Sequence, residues 1–151
     1  MLLTELLTLD RVRVPVLAHD KPGVLRELVQ LLVERSGGDF KDILGAVLER
    51  EDVLSTGIGF GIAIPHAKSP TVTELGLVCG ASAVPIPFDA LDGEPVRLFF
   101  LLVGPESAAG QHVKALSRIA RVVRRESVRE ALLKAQSPEE FYQIIKDAEG
   151  R

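Results

Sequence analysis

The sequence predicts an α/β (α+β) domain in which a mixed β-sheet carries helices on both faces, and three observations predict it. Helix-period segments stand before and after a block of strand-like segments, so the strands are covered from two sides. One strand segment, "VRLFFLLVG", is apolar at nearly every position, the pattern of a central strand buried on both faces. The chain has 151 residues, within the roughly 100 to 200 that one core supports, so residues 1–151 read as a single domain.

The elements follow in order. The opening "MLLTELLTLDRVRV" sets acids inside a short apolar stretch and lacks the charged start and small-residue cleavage site of a signal peptide. No run approaches the roughly 18 to 20 apolar residues of a membrane span, so the expected location is the cytoplasm, without membrane insertion. "KPGVLRELVQLLVERSG" places Val24, Leu25, Leu28, Leu31 and Leu32 at helical spacing and closes on Gly37. "DFKDILGAVLERED" starts at an Asp39 cap and aligns Phe40, Ile43, Leu44, Val47 and Leu48; the two form an αα-hairpin.

Strand signals then take over in "GFGIAIPH", "LGLVCGASAV" and "VRLFFLLVG", each bounded by Gly or Pro. Between the last two, "PIPFDALDGEP" has turn chemistry and reads as a loop at a sheet edge. Helix returns over Ala108 to Val123, then in "SVREALLKAQ" and "SPEEFYQIIKD", where Ser137, Pro138 and Glu140 supply cap, first-turn proline and capping-box acid.

Composition is that of an ordinary folded chain, 46% hydrophobic and 26% charged. A net charge of −3 argues against a general basic surface for nucleic acid. The single Cys79 has no partner for an internal disulfide and reads as a small buried hydrophobe.

Chemistry rests on the three histidines. His19, among charged residues before a helix, reads as a solvated loop side chain. His66 follows a strand-like run and Pro65, which removes a backbone donor; the strand is expected to end there and present the imidazole at its tip. His112 heads a stripe continued by Leu116, Ile119, Ala120 and Val123, so it should point toward the sheet from the first turns of a helix. The positive end of a helix disfavours protonation, so a neutral His112 donating one hydrogen bond is expected, and a purely structural core histidine is the alternative.

Gly57, Gly59 and Gly61 alternate, which in one strand puts them on one face and permits close approach of another chain. They do not form a dinucleotide fingerprint, because no helix follows them. HxH, HExxH and CxxC spacings are absent, as are a Walker lysine and a GxSxG elbow, so neither metal nor cofactor is called for. An isolated histidine at a strand end, a possible second one, Arg50 and a glycine-lined approach suit reversible phosphorylation of imidazole.

Three ordered stretches carry a resemblance. "REDVLSTGIGFGIAIPHAK", "PIPFDALDGEPVRLFFLLVGPE" and "QHVKALSRIARVVRR" closely resemble the IIA component of the fructose and mannitol class of the bacterial phosphoenolpyruvate-dependent sugar phosphotransferase system, with its nitrogen-regulatory relatives. The resemblance implies that His66 takes phosphate from the histidine-containing phosphocarrier protein (HPr or its nitrogen-branch equivalent) and passes it to a IIB component. It implies that His112 supports the phosphohistidine by hydrogen bonding and that Arg50 lies near the phosphate. A nucleophilic imidazole needs one unprotonated nitrogen, with the other held as donor to an acceptor that the sequence does not reveal.

Lys114, Arg118, Arg121 and Arg125 recur at helical spacing, and this stripe is either a solvated helix face or a dock for an acidic partner. Two roles share this chemistry: a regulator whose phosphorylation state controls partner proteins, which the "PIPFDALDGEPVRLFFLLVGP" stretch favours by its likeness to the nitrogen-regulatory branch, and a relay in sugar uptake. A stand-alone hydrolase using His66 and His112 is a third reading.

Overall fold

Asp20 and Asp39 start the two helices that the sequence places first. Their carboxylates accept from the backbone N–H groups of Gly23 and of Lys41 and Asp42, which fixes the starts of α2 (Lys21–Ser36) and α3 (Phe40–Val53). Gly37 ends α2 with φ of 79°, a left-handed conformation that favours glycine. Ahead of them lie α1 (Leu3–Leu6), a single turn, and β1 (Val12–Arg13). The computed structural model describes residues 1–150.

The strand block folds into β2 (Gly57–Gly59), β3 (Ile62–Ala63), β4 (His66–Lys68), β5 (Gly76–Ile86) and β6 (Val96–Gly104). These make one mixed sheet in the order β1-β5-β6-β3-β2, with β4 also on β6. Strand β6 is antiparallel to β5 and parallel to β3 and β4.

Three helices close the chain: α4 (Ala109–Arg124), α5 (Glu126–Lys134) and α6 (Pro138–Glu149). Ser137 caps α6 by accepting from the Glu140 N–H, and the Glu140 carboxylate reaches back to the Gln136 N–H.

Alternation along β6 builds the two cores. Leu98, Phe100 and Leu102 meet Leu77 and Cys79 of β5 and the apolar faces of α4 to α6. Phe99, Leu101 and Val103 face the other way, onto Val24, Leu28, Ile43 and Val47 of α2 and α3. Each such side chain contributes about 1.5–3 kcal/mol by leaving water. The sheet thus carries helices on both faces, as the pattern predicts.

Two local expectations are corrected and a third is refined. The alternating glycines do not share one face of a continuous strand. β2 and β3 pair antiparallel around a tight reversal in which Gly59, Phe60 and Gly61 have φ of 99°, 59° and 75°. Glycine tolerates that left-handed geometry; Phe60 adopts it between two glycines, with its ring against the Arg129 guanidinium, 4.4 Å away.

Nor does the strand end at Pro65. The register on β6 is unbroken across it: Ile62 lies opposite Leu98, Ala63 opposite Phe99, and His66 opposite Leu102. Pro65 lacks an N–H but still accepts from the Leu102 N–H through its carbonyl, at 3.0 Å. His66 is therefore the first residue of a strand rather than the last.

The segment 85–95 does reach a sheet edge as a loop, with the Leu91 N–H donating to the Gly57 carbonyl of the outermost strand β2 at 3.4 Å, but it begins as strand. It joins the two central strands β5 and β6, and its first two residues still belong to β5. Buried Phe88 and Ala90 seat it over β2, where a side chain at Gly57 would meet the Ala90 Cβ at 2.6 Å.

Candidate active site

The backbone around Pro65 decides how His66 is held. Within a strand, a residue's N–H and C=O point to the same side. The Ile64 N–H donates to the Thr56 carbonyl at 3.0 Å, so the Ile64 carbonyl turns away from β6 as well. It accepts from His66 Nδ1 at 2.8 Å. A carbonyl can only accept, so Nδ1 carries a proton, and in the neutral tautomer that this contact selects the lone pair lies on Nε2. The ring itself is half-buried.

His112 comes from the first turn of α4, which has no side-chain cap and no acid. Its ring stands edge-on to His66, with centroids 5.7 Å apart and an interplanar angle of 66°. Burial at 4% exposure, followed by repulsion from His66 and Lys68, holds its pKa down from the ordinary 6.5 to about 4. Neutrality matches the sequence reading, but its main cause is burial rather than the helix end. The expected hydrogen bond is absent among the described residues: Nδ1 is enclosed without a partner, so Nε2 is the nitrogen able to serve the pocket that His112 lines.

The remaining face of His112's stripe is shifted from the one expected. Ala115, Ile119, Val122 and Val123 are buried with it, whereas Leu116 and Ala120 are only half-buried.

Arg50, in the last turn of α3, lines the same pocket of about 350 Å³ with His66 and His112. Its Nη1 donates to the Leu54 carbonyl at 2.6 Å, which anchors one corner of the guanidinium and leaves other N–H groups for an anion. The sequence reading missed Lys68, which also lines the pocket and pairs with Glu106 at 3.9 Å. Its signal was available in principle, since Lys68 lies two residues beyond His66 on the same side of β4. The Ile64 carbonyl had none, because a backbone acceptor leaves no trace in residue type.

The basic stripe of α4 is divided. Arg125 donates to the Ala148 carbonyl of α6 at 2.5 Å, and Arg118 lies 3.9 Å from the buried carboxylate of Glu149. Only Lys114 and Arg121 stay fully exposed, so the row does not form a continuous cationic face. His19 is exposed outside the pocket, and Cys79 is fully buried, its thiol pKa pushed up by desolvation.

A helix-flanked mixed sheet that sets an oriented imidazole beside a second histidine and an arginine has the makings of a domain that handles an anionic group. The chain belongs to the family described as phosphoenolpyruvate-dependent sugar phosphotransferase system, EIIA 2, whose model matches residues 5–148. It is 38% identical to the nitrogen regulatory protein of Pseudomonas aeruginosa over 98% of this chain and 97% of that protein. It is 37% identical to the fructose-specific EIIABC component of Bacillus subtilis over 96% of this chain, which spans only 23% of that longer protein. The crystal structure of the nitrogen regulatory protein IIA-Ntr from Neisseria meningitidis superposes with a TM-score of 0.87 at 34% identity, covering 93% of this chain and 97% of that one. IIA mannitol from Escherichia coli shares the fold, with a TM-score of 0.79 at 21% identity over 92% of this chain and 98% of that one.

No helix among the described residues is long and apolar enough to cross a membrane. A phosphocarrier role follows from the family.

Proposed function

We propose that His66 Nε2 is the atom that carries the phosphoryl group, received from the histidine-containing phosphocarrier protein. The observation that carries this reading is the 2.8 Å contact from Nδ1 to the Ile64 carbonyl, which leaves the Nε2 lone pair aimed away from the backbone. In the transfer, Nε2 forms a bond to phosphorus as the bond to the donor's ring nitrogen breaks. That ring leaves with the electron pair as neutral imidazole. The Nδ1 proton stays on His66, so the phosphorylated ring is itself a cation ready to leave as neutral imidazole in the next transfer.

The surroundings support the charge. The Arg50 fork offers charge-assisted hydrogen bonds to phosphoryl oxygens, about twice as strong as neutral ones. A neutral His112 donates from Nε2, and the uncapped start of α4 favours an anion there. Lys68 adds a point charge from the strand itself.

The regulatory role is the first of the two outlets. Likeness to IIA-Ntr is closer in both shape and sequence than likeness to IIA mannitol, which at 21% identity speaks for the fold alone. Transfer to a sugar-specific IIB is the second reading, favoured by the identity to the Bacillus fructose-specific protein. The deciding experiment incubates the chain with phosphoenolpyruvate, enzyme I and the phosphocarrier protein. Acid-labile label is expected in wild type and in His19→Ala and is lost in His66→Ala; full labelling of His66→Ala overturns the assignment. Efficient onward transfer to a fructose-type or mannitol-type IIB would move the reading from regulator to uptake.

A further inference from the structure

We propose that Glu51, buried beside the site but not lining it, is a positioning residue that sets the orientation of His66 through Thr56 and Ile64. The inference rests on the reading of His66 as phosphoryl acceptor and deepens it.

Glu51 is 5% exposed, an expensive place for a carboxylate unless its oxygens are fully engaged. Three groups engage them. Lys21 Nζ, from the start of α2, lies 3.1 Å from Oε1. The Thr56 backbone N–H donates to Oε1 at 2.8 Å and the Thr56 hydroxyl to Oε2 at 2.6 Å. One carboxylate thus grips both the main chain and the side chain of a single residue.

That residue lies on the connection from helix to hairpin, which is also tied by Arg50 to the Leu54 carbonyl and by the Ser55 hydroxyl to the Phe88 carbonyl. Helix α3 ends at Val53, its C-cap Leu54 is extended, and three residues later β2 begins. Thr56 passes its placement on directly: its carbonyl takes the Ile64 N–H at 3.0 Å, one step beyond the Gly57–Ala63 pair of the hairpin. Ile64 then presents its own carbonyl to His66 Nδ1 at 2.8 Å. From Lys21 to the imidazole, each link is 3.1 Å or shorter.

The chemistry of imidazole makes this link consequential. A free histidine side chain favours the Nε2–H tautomer, which puts the lone pair on the nitrogen facing the backbone. The Ile64 carbonyl reverses that preference by rewarding Nδ1–H. If Thr56 is released, the Ile64 N–H loses its acceptor, the Ile64 carbonyl is held less firmly against Nδ1, the reward weakens, and the share of rings with a nucleophilic Nε2 falls. The observed rate falls with that share. Carrier affinity should be spared, because Glu51 is buried and reaches no docking surface.

The test uses the full chain with three substitutions. Glu51→Ala releases Thr56; Glu51→Gln keeps an acceptor and a donor for the two Thr56 contacts while losing the Lys21 pair; Thr56→Val removes the hydroxyl contact alone. The readouts are the His66 tautomer, from nitrogen chemical shifts in long-range nitrogen–proton spectra, and the initial phosphorylation rate over a range of carrier concentrations. Glu51→Ala is expected to shift His66 toward Nε2–H and to lower the saturated rate about fivefold to tenfold, with the carrier KM within twofold. Thr56→Val should move both readouts in the same direction by less, and Glu51→Gln should stay near wild type in both despite a lower Tm.

A folded Glu51→Ala with an unchanged tautomer and a rate within twofold of wild type overturns the proposal. So does a set of variants whose rates simply follow their Tm. Should Glu51→Ala fail to fold, Thr56→Val decides on the same two readouts. The tautomer is read without any phosphoryl donor, so a wild type that fails to label at His66 would count against the proposed function while leaving this positional link measurable.

Discussion

His66 and His112 sit edge to edge, yet the two regions that supply them control them by opposite means. β4 holds His66 by direction: one hydrogen bond to a fixed carbonyl selects the proton's nitrogen, and the ring stays half-open to the pocket. α4 holds His112 by exclusion: the ring is buried, one nitrogen has no partner, and the cost of charging it keeps it neutral. Under the proposed function the difference separates two requirements of phosphoryl transfer. The acceptor atom would need aim, and the supporting donor a fixed charge state.

The comparison breaks most visibly at the acceptor. His66→Gln keeps bulk and polarity but has no nucleophilic ring nitrogen, and incorporation of acid-labile label should fall to background in a phosphocarrier assay. At His112 the expected loss is partial. His112→Ala should retain label but slow its incorporation about a hundredfold, the scale on which a lost donor to a developing anion is felt, and His112→Gln should recover part of it through its amide N–H. Equal rates for the two variants would show that His112 acts by packing rather than by donation.

Smaller effects sharpen the contrast. Arg50→Lys keeps the charge and loses the fork, so the saturated rate should drop about tenfold. Lys68→Met should cost about threefold at low salt and less at high salt, as expected for a partly exposed charge.

The last test concerns stability. Because the folded pKa of His112 is about 4 against an ordinary 6.5, the unfolded chain binds the extra proton between those values. Stability from this residue is therefore complete above about pH 6.5 and is lost as pH falls toward about 4. Thermal melts across that window should show Tm declining by a few degrees more in wild type than in His112→Gln.

Much of this architecture is legible in residue type. The helical stripes of α2 and α3, the caps at Asp39 and Ser137, and the unbroken apolar run of β6 each follow from side-chain period and local hydrogen bonding. β1 escapes because two residues carry no period. The stretch from Gly57 to His66 misleads for a different reason: its alternation imitates a single strand, whereas the fold depends on left-handed φ values at Gly59, Phe60 and Gly61. At the site, the side chains that meet a ligand are visible as residue types, but Glu51 reads as one more charge at a helix end. Its role arises from a contact with Thr56, which no helical or strand period pairs with it.

The register that continues across Pro65 has a dynamic consequence. β4 rests on the strand that both cores enclose, so moving the His66 backbone means breaking pairs with Leu102 and its neighbours, all deeply buried. His66 is thus carried by a part of the molecule that opens late, and amide exchange at Ala67 and Ser69, whose N–H groups face β6, should be as slow as in β6 itself. On the proposed function, partners would meet a stationary imidazole and bring their own phosphoryl group, or their own acceptor, into line with it.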